Sequence, residues 1–236
     1  MEKKYRLTDE TIDFNGVTLH RIEAMRDFGD VKKGDKGGFV QSEENLSHDG
    51  NSWIFDDSKA IGNSLVFQNA VLSGNSIICD NAVATGFSCI CDRSIVCERA
   101  LILDHATICH NASVCGNAAV VGEAKVTDFS RVEGYSVVNE YAEICDALIK
   151  RSSDYIVFKN WWSSLRYFTW TKSNNMWKVG CFYGTGEELI EKAYKDSELS
   201  GREYKRVVEY VESKMRDEIP NKDILALKTY DYGTMD

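Results

Sequence analysis

From Ser52 to Ala142 a small residue, alanine or serine, recurs at every sixth position without a gap. Sixteen positions keep this phase. Two residues after each stands an aliphatic side chain, Ile54, Val66, Leu72 and Ile78 among the first, with Ala60 and Ala84 as the small exceptions. Positions two apart point to one side of a strand, so the small row and the aliphatic row share an interior. The pair that follows is turn-like, as in Gly62-Asn63, Gly74-Asn75, Asp80-Asn81 and Gly116-Asn117. Short strands joined by tight turns, repeated without a break, predict a β-solenoid. A sandwich would need strands of uneven length between Pro/Gly-rich loops.

This pattern resembles the hexapeptide-repeat family, whose members fold as left-handed parallel β-helices with three hexads to a triangular coil. The resemblance implies a mainly β fold with about five coils over residues 51–150. The run Asp27-Phe28-Gly29-Asp30-Val31 through Gly37-Gly38-Phe39-Val40, continuing into Asn45-Leu46-Ser47 and Gly50-Asn51-Ser52-Trp53-Ile54, narrows it. That run is similar to YdcK-type proteins, β-helix proteins grouped with transferases, and to phage and prophage hexapeptide-repeat proteins. The likeness covers about residues 5 to 150 and implies fold more securely than activity.

Residues 1–50 read as an N-terminal cap, because a solenoid leaves an open strand edge at each end. Asn15-Gly16 between Phe14 and Val17 is a strong hairpin signal. Gly34, Gly37 and Gly38 follow Lys32 and Lys33, but the spacing is neither a Walker loop nor GxGxxG, so the group reads as a turn feeding the first coil. After Ser152 the hexad fails, and Trp161, Trp162, Trp170 and Trp177 crowd together. Residues 151–236 are therefore expected to form a small α+β domain. Its strands are predicted at Tyr155 to Lys159, Arg166 to Thr171 and Met176 to Tyr183. Capping boxes at Thr185-Gly186-Glu187-Glu188 and Ser200-Gly201-Arg202-Glu203 predict two helices. After Asp217 a partly loose tail is expected.

Composition changes this picture little. One proline in 236 residues and 28% charged residues fit a globular chain. With no apolar leader and no long apolar run, a membrane role is not expected, and eight cysteines then read as free thiols in a cytoplasm, here that of a bacterial host cell. A net charge of -9, concentrated in residues 51–150 with 12 acidic against 6 basic residues, argues against direct nucleic-acid binding.

Hexapeptide-repeat acyltransferases need a general base, usually histidine, and the histidines of the repeat are His105 and His110. No loop interrupts the hexads, and the reading therefore leans away from an enzyme. A column of turn residues eighteen apart holds Asp56, Gly74, Asp92, His110, Asp128 and Asp146. Such a column reads as solvated turns, and Cys89-Ile90-Cys91 lacks a second ligand pair in its spacing, so neither metal nor cofactor is expected. The outward positions Leu65, Phe67, Val83, Leu101, Leu103, Val121 and Val137 form an apolar strip, expected to be a homo-oligomer interface, trimeric by the family's habit.

The sequence favours a non-enzymatic oligomer that binds or sequesters a nucleotide-like ligand or a host defence protein, encoded by a phage or prophage. CoA-dependent acyl transfer is the alternative. The expected ligand site joins an aromatic plane, Trp161, Trp162 and Trp170, to Arg166, Lys178 and the helix start Gly184, Thr185 and Gly186.

Overall fold

Each hexad folds as a short strand and a corner, and every third strand stacks in parallel on the one a coil before it. Val71, Cys89 and Thr107 stack in this way along one face. In the computed structural model, which describes residues 3–216, the strands form three parallel faces. In chain order, face one carries Cys89–Ile90 and Thr107–Ile108, face two Ile95–Val96 and Ser113–Val114, and face three Leu101–Ile102 and Ala119–Val120. The aliphatic row and the small row are buried throughout, as Ile102, Ile108 and Val114 and Ala100, Ala106 and Ala112 illustrate. At some of these positions a serine hydroxyl turns back across the corner, as Ser94 donates to the Cys91 carbonyl at 2.6 Å and Ser136 to that of Glu133 at 2.8 Å, whereas the buried hydroxyls of Ser64 and Ser88 do not.

The corners explain the acidic middle of the chain. From Asp56 (φ 53°) to Asp146 (φ 48°), every sixth residue is left-handed, a conformation open to glycine and tolerated by Asp, Asn and His. An aspartate there also holds the next coil. Asp56 accepts the Gly74 N–H, Asp80 that of Glu98 and Asp92 that of His110, each at 2.9 Å.

The solenoid is longer than the hexads alone, about six turns. Phe39 and Val40 pair with Lys59 and Ala60, and Leu148–Ile149 pairs with Arg131 and Val132. Ahead of it the hairpin Tyr5–Phe14 and Val17–Ala24 turns at Asn15 (φ 53°) and Gly16 (φ 82°) and extends face two. The lysine-glycine turn is filled by its own carboxylates: Asp35 accepts the Lys32 N–H at 2.8 Å and Asp27 that of Lys33 at 2.9 Å.

Lys4 closes this end. It is fully buried, and its ammonium donates to the Ser52 carbonyl at 2.8 Å. Burial, with Arg26 adding to it, pushes its pKa from 10.5 down to about 8. The unfolded chain therefore holds this proton to higher pH than the folded one. The cost is fully present below pH 8 and is relieved as pH rises from about 8 toward 10.5. Folding stability should climb over that window by at most about 3 kcal/mol, and Lys4→Met should flatten the climb. Denaturant unfolding across the range checks this; an equal slope in the variant would assign it to another group.

Beyond the repeat, Tyr155–Lys159, Tyr167–Thr171, Met176–Val179 and Phe182–Gly184 form one antiparallel sheet. The expected third strand is thus two strands, because Gly180 is left-handed (φ 55°) and turns the chain. The sheet seals the last coil: Thr169 accepts the Glu143 N–H at 2.9 Å, and Ser173 accepts that of Leu148 at 2.8 Å. Its aromatics form its core, with Phe158 and Phe168 stacked at 5.4 Å beside Trp177.

The chain divides into two compact units, Met1–Thr185 and Gly186–Asp236. The antiparallel sheet thus groups with the solenoid. Within the second unit lie the helices α1, Gly186–Asp196, and α2, Glu198–Arg216. The second helix starts earlier than its expected capping box, since the Ser197 hydroxyl accepts the Ser200 N–H at 3.1 Å and Ser200 lies within the helix. Gly201 packs against the Tyr194 ring, leaving no room for a Cβ. The tail after Asp217 lies outside the described residues.

Candidate functional site

Between faces one and two runs the corner column of Asp92, His110, Asp128 and Asp146. His110 is left-handed (φ 59°), and its main chain is pinned by Asp92. One coil on, Asp128 Oδ1 lies 3.2 Å from His110 Nδ1. The imidazole is thus held at one nitrogen, and its Nε2 lies on a side chain 55% exposed. The other Asp128 oxygen is equally engaged: Oδ2 accepts the Thr127 hydroxyl at 2.7 Å and the Cys145 thiol at 2.9 Å. Those bonds, Cys145 first, hold the Asp128 carboxyl below its ordinary range, with His110 and Lys178 contributing charge. Burial and the bond to Asp128 push the Cys145 thiol up to about 12.

Lys178 stands on Met176–Val179, and so the antiparallel sheet brings a cation toward this column. Asn174 donates to the Asp146 carbonyl at 2.9 Å and the Tyr183 hydroxyl to that of Cys145 at 3.2 Å. Burial lifts the Tyr183 hydroxyl to about 12, so it remains a donor at neutral pH.

Thiols flank the column. Cys89 and Cys91 point outward on either side of buried Ile90, and Cys109 lies one coil beyond Cys91. A hydrogen bond from Cys91, aided by the charge of His110, lowers the Cys109 thiol to about 7. All eight cysteines are unpaired.

The two histidines named from the sequence fall at different corners. His105 sits between faces three and one, stacked on Phe87 at 5.1 Å with the rings 3° from parallel. Its neighbour Asp104 is occupied by the Gly122 N–H at 3.2 Å. Of these two, His110 is the one with a carboxylate on its ring among the described residues.

The residues expected to bind a ligand differ in their surroundings. Trp170 is buried and donates from its indole nitrogen to Asn175 at 2.9 Å, and Trp162 is half-buried. Trp161 is 68% exposed and Arg166 is exposed in the same loop, whereas Lys178 lies toward the corner column. Gly184 is buried at a strand end, Thr185 is exposed, and Gly186 opens α1 in the second unit.

The apolar strip is ordered by the coil register. Leu65, Val83, Leu101, Ala119 and Val137 stack in line on face three, with Phe67, Leu103 and Val121 just past the ends of their strands. Leu65 is 42% exposed and Leu101 38%. This face is opposite the His110 corner and borders that of His105.

Among the described residues no helix is long and apolar enough to cross a membrane. No family profile matches the chain. Over 62 residues it is 39% identical to the uncharacterized acetyltransferase YdcK of Escherichia coli (strain K12), a stretch that takes in 23% of this chain. The match covers 19% of that protein's length, about a fifth, and together with the hexads and the parallel coils it shows a β-solenoid of the hexapeptide-repeat type.

Proposed function

We propose that the chain catalyses acyl transfer from a CoA thioester to an amine or hydroxyl, with His110 as general base. The observation that carries this reading is the His110 Nδ1 to Asp128 Oδ1 pair at 3.2 Å, which leaves Nε2 to receive a proton. As the acceptor attacks the thioester carbonyl, its proton passes to Nε2. Asp128 holds the tautomer and stabilises the imidazolium. Collapse of the tetrahedral intermediate breaks the carbon–sulfur bond, and His110 returns the proton to the departing CoA sulfur. The acetyltransferase name of the YdcK relative supports the same chemistry.

Incubation with acetyl-CoA and a panel of primary amines and alcohols, with CoA and acetylated product separated by chromatography, tests it. Turnover above the uncatalysed rate is expected. Failure across the panel, together with no thermal stabilisation by CoA, overturns the reading.

The catalytic unit in this reading is a homo-oligomer, a trimer, joined through face three, which leaves the opposite His110 corner open. Leu101→Glu should break it, because a carboxylate placed in an apolar interface stays unpaired. Light scattering should show the wild type as an oligomer and the variant as a monomer; a monomeric wild type refutes the interface.

A second reading, a non-catalytic binding scaffold, rests on exposed Trp161 beside Leu165, 68% and 63% exposed, in one loop. Stabilisation by a nucleotide but not by CoA would favour it.

A further inference from the structure

The thiols beside the corner column form a second constellation, one that acyl transfer does not use. Donor atoms of Cys91, Asp92 and Cys109 all lie within 4.8 Å of one another, and Cys91 Sγ is 3.8 Å from Asp92 Oδ2. Cys89 stands two residues before Cys91, across buried Ile90, and also points outward. We propose that Cys91, Cys109 and Asp92, completed by Cys89, bind a soft divalent cation of the zinc class.

Tetrahedral zinc holds thiolates at about 2.3 Å, which places two sulfurs about 3.8 Å apart. Donors already within 4.8 Å close to that spacing through side-chain rotation, without moving the coils. The parallel register sets Cys109 beside Cys91, since Ile90 pairs with Ile108. Asp92 is braced from outside the cluster, because its Oδ2 accepts the His110 N–H at 2.9 Å. Such bonds orient a metal ligand. Thiolates in the majority select zinc, cadmium or cobalt over magnesium and calcium.

Other clusters fit less well. Cys79, Cys97 and Cys115 run in single file on face two, one to a coil, so the outer two are about 9–10 Å apart. Asp128, Cys145 and Asp146 also converge, but they offer one thiol, and Asp128 is committed to His110, Thr127 and Cys145. Linear spacing hides the favoured site, because its second thiol pair is completed across a coil.

The test uses the full chain, reduced with a phosphine, freed of metal by chelation and titrated with Co²⁺. One equivalent should give an intense sulfur-to-cobalt charge-transfer absorption, displaced by Zn²⁺. Cys91→Ser and Cys109→Ser should each weaken binding about 10- to 100-fold, the loss known even for outer partners of metal ligands, while Cys97→Ser should not change it. Asp92→Asn should weaken it with the thiolate band retained. A wild type without the band, or Cys91→Ser and Cys109→Ser proteins that bind like the wild type, overturns the site. Should Cys91→Ser unfold, Cys109→Ser decides alone. The readout needs no acyl transfer, so failure of either proposal leaves the other standing.

Discussion

His110→Asn is expected to lower the turnover number for acetyl transfer by about 10²- to 10⁴-fold, the usual contribution of a general base. Asparagine is chosen because the position is left-handed (φ 59°), a conformation asparagine tolerates better than most residues. It also keeps the main-chain N–H that Asp92 accepts at 2.9 Å. The unfolding temperature should therefore stay near that of the wild type while the ring nitrogen proposed to take the proton is lost. The KM for acetyl-CoA should hardly move, since the removed interaction acts in the transition state rather than in substrate binding. Asp128→Asn should follow the same direction, because an amide no longer stabilises the imidazolium. The informative contrast is His105→Asn. His105 stacks on Phe87 at the corner bordering the apolar face and, among the described residues, has no carboxylate on its ring. It should retain activity. Loss of activity in His105→Asn with none in His110→Asn would move the base to the edge of face three, the face proposed as the subunit interface.

Much of this architecture was legible in the chain because the repeat is rigid. Once Ser52, Ser58 and Ser64 mark every sixth position, an eighteen-residue coil places His110 on Asp128 and Cys109 on Cys91, and the register agrees. What the periodicity did not carry was the direction of side chains at the corners. The aspartates looked like solvated turns, whereas Asp56, Asp80 and Asp92 cap the next coil's N–H groups. His105 and His110 looked alike in sequence, and only the carboxylate facing one ring separates them. Beyond residue 150 no repeat constrained the fold. The aromatic density there suggested a ligand plane, but Phe168, Trp170 and Trp177 are the core of the sheet. The polar residues that join this sheet to the last coil, Thr169, Ser173 and Asn174, carry no local signal, because their partners are main-chain groups of a distant segment.

Gly38→Ala is expected to be strongly destabilising. Gly37 and Gly38 lie in the strand Lys36–Val40, and both are buried. Neither is left-handed, and the requirement for glycine is one of space. A Cβ on Gly37 would stand 2.6 Å from the Ile54 carbonyl oxygen and 2.7 Å from the Trp53 ring. One on Gly38 would collide with the Ser58 carbonyl oxygen and lie 2.6 Å from Ile54 Cγ2. Flexible side chains yield to such pressure, but a carbonyl in the coil ladder cannot. The Ser58 carbonyl accepts the Phe39 N–H at 2.9 Å, so pushing it aside also damages a buried hydrogen bond. Overpacking costs about 1–3 kcal/mol and an unsatisfied buried group about 1–3 kcal/mol, which together give roughly 2–6 kcal/mol. For a chain of this size each kcal/mol lowers the melting temperature by about 2–4 °C, so the fall should be on the order of 10 °C. Gly34→Ala is the control. Gly34 is left-handed (φ 94°) with nothing within 4 Å of an added methyl group, so alanine there meets only backbone strain of about 1–2 kcal/mol. Thermal unfolding followed by circular dichroism separates the two. If Gly38→Ala melts no lower than Gly34→Ala, close packing is not what these glycines provide, and the lysine-glycine segment must be reconsidered as a binding loop.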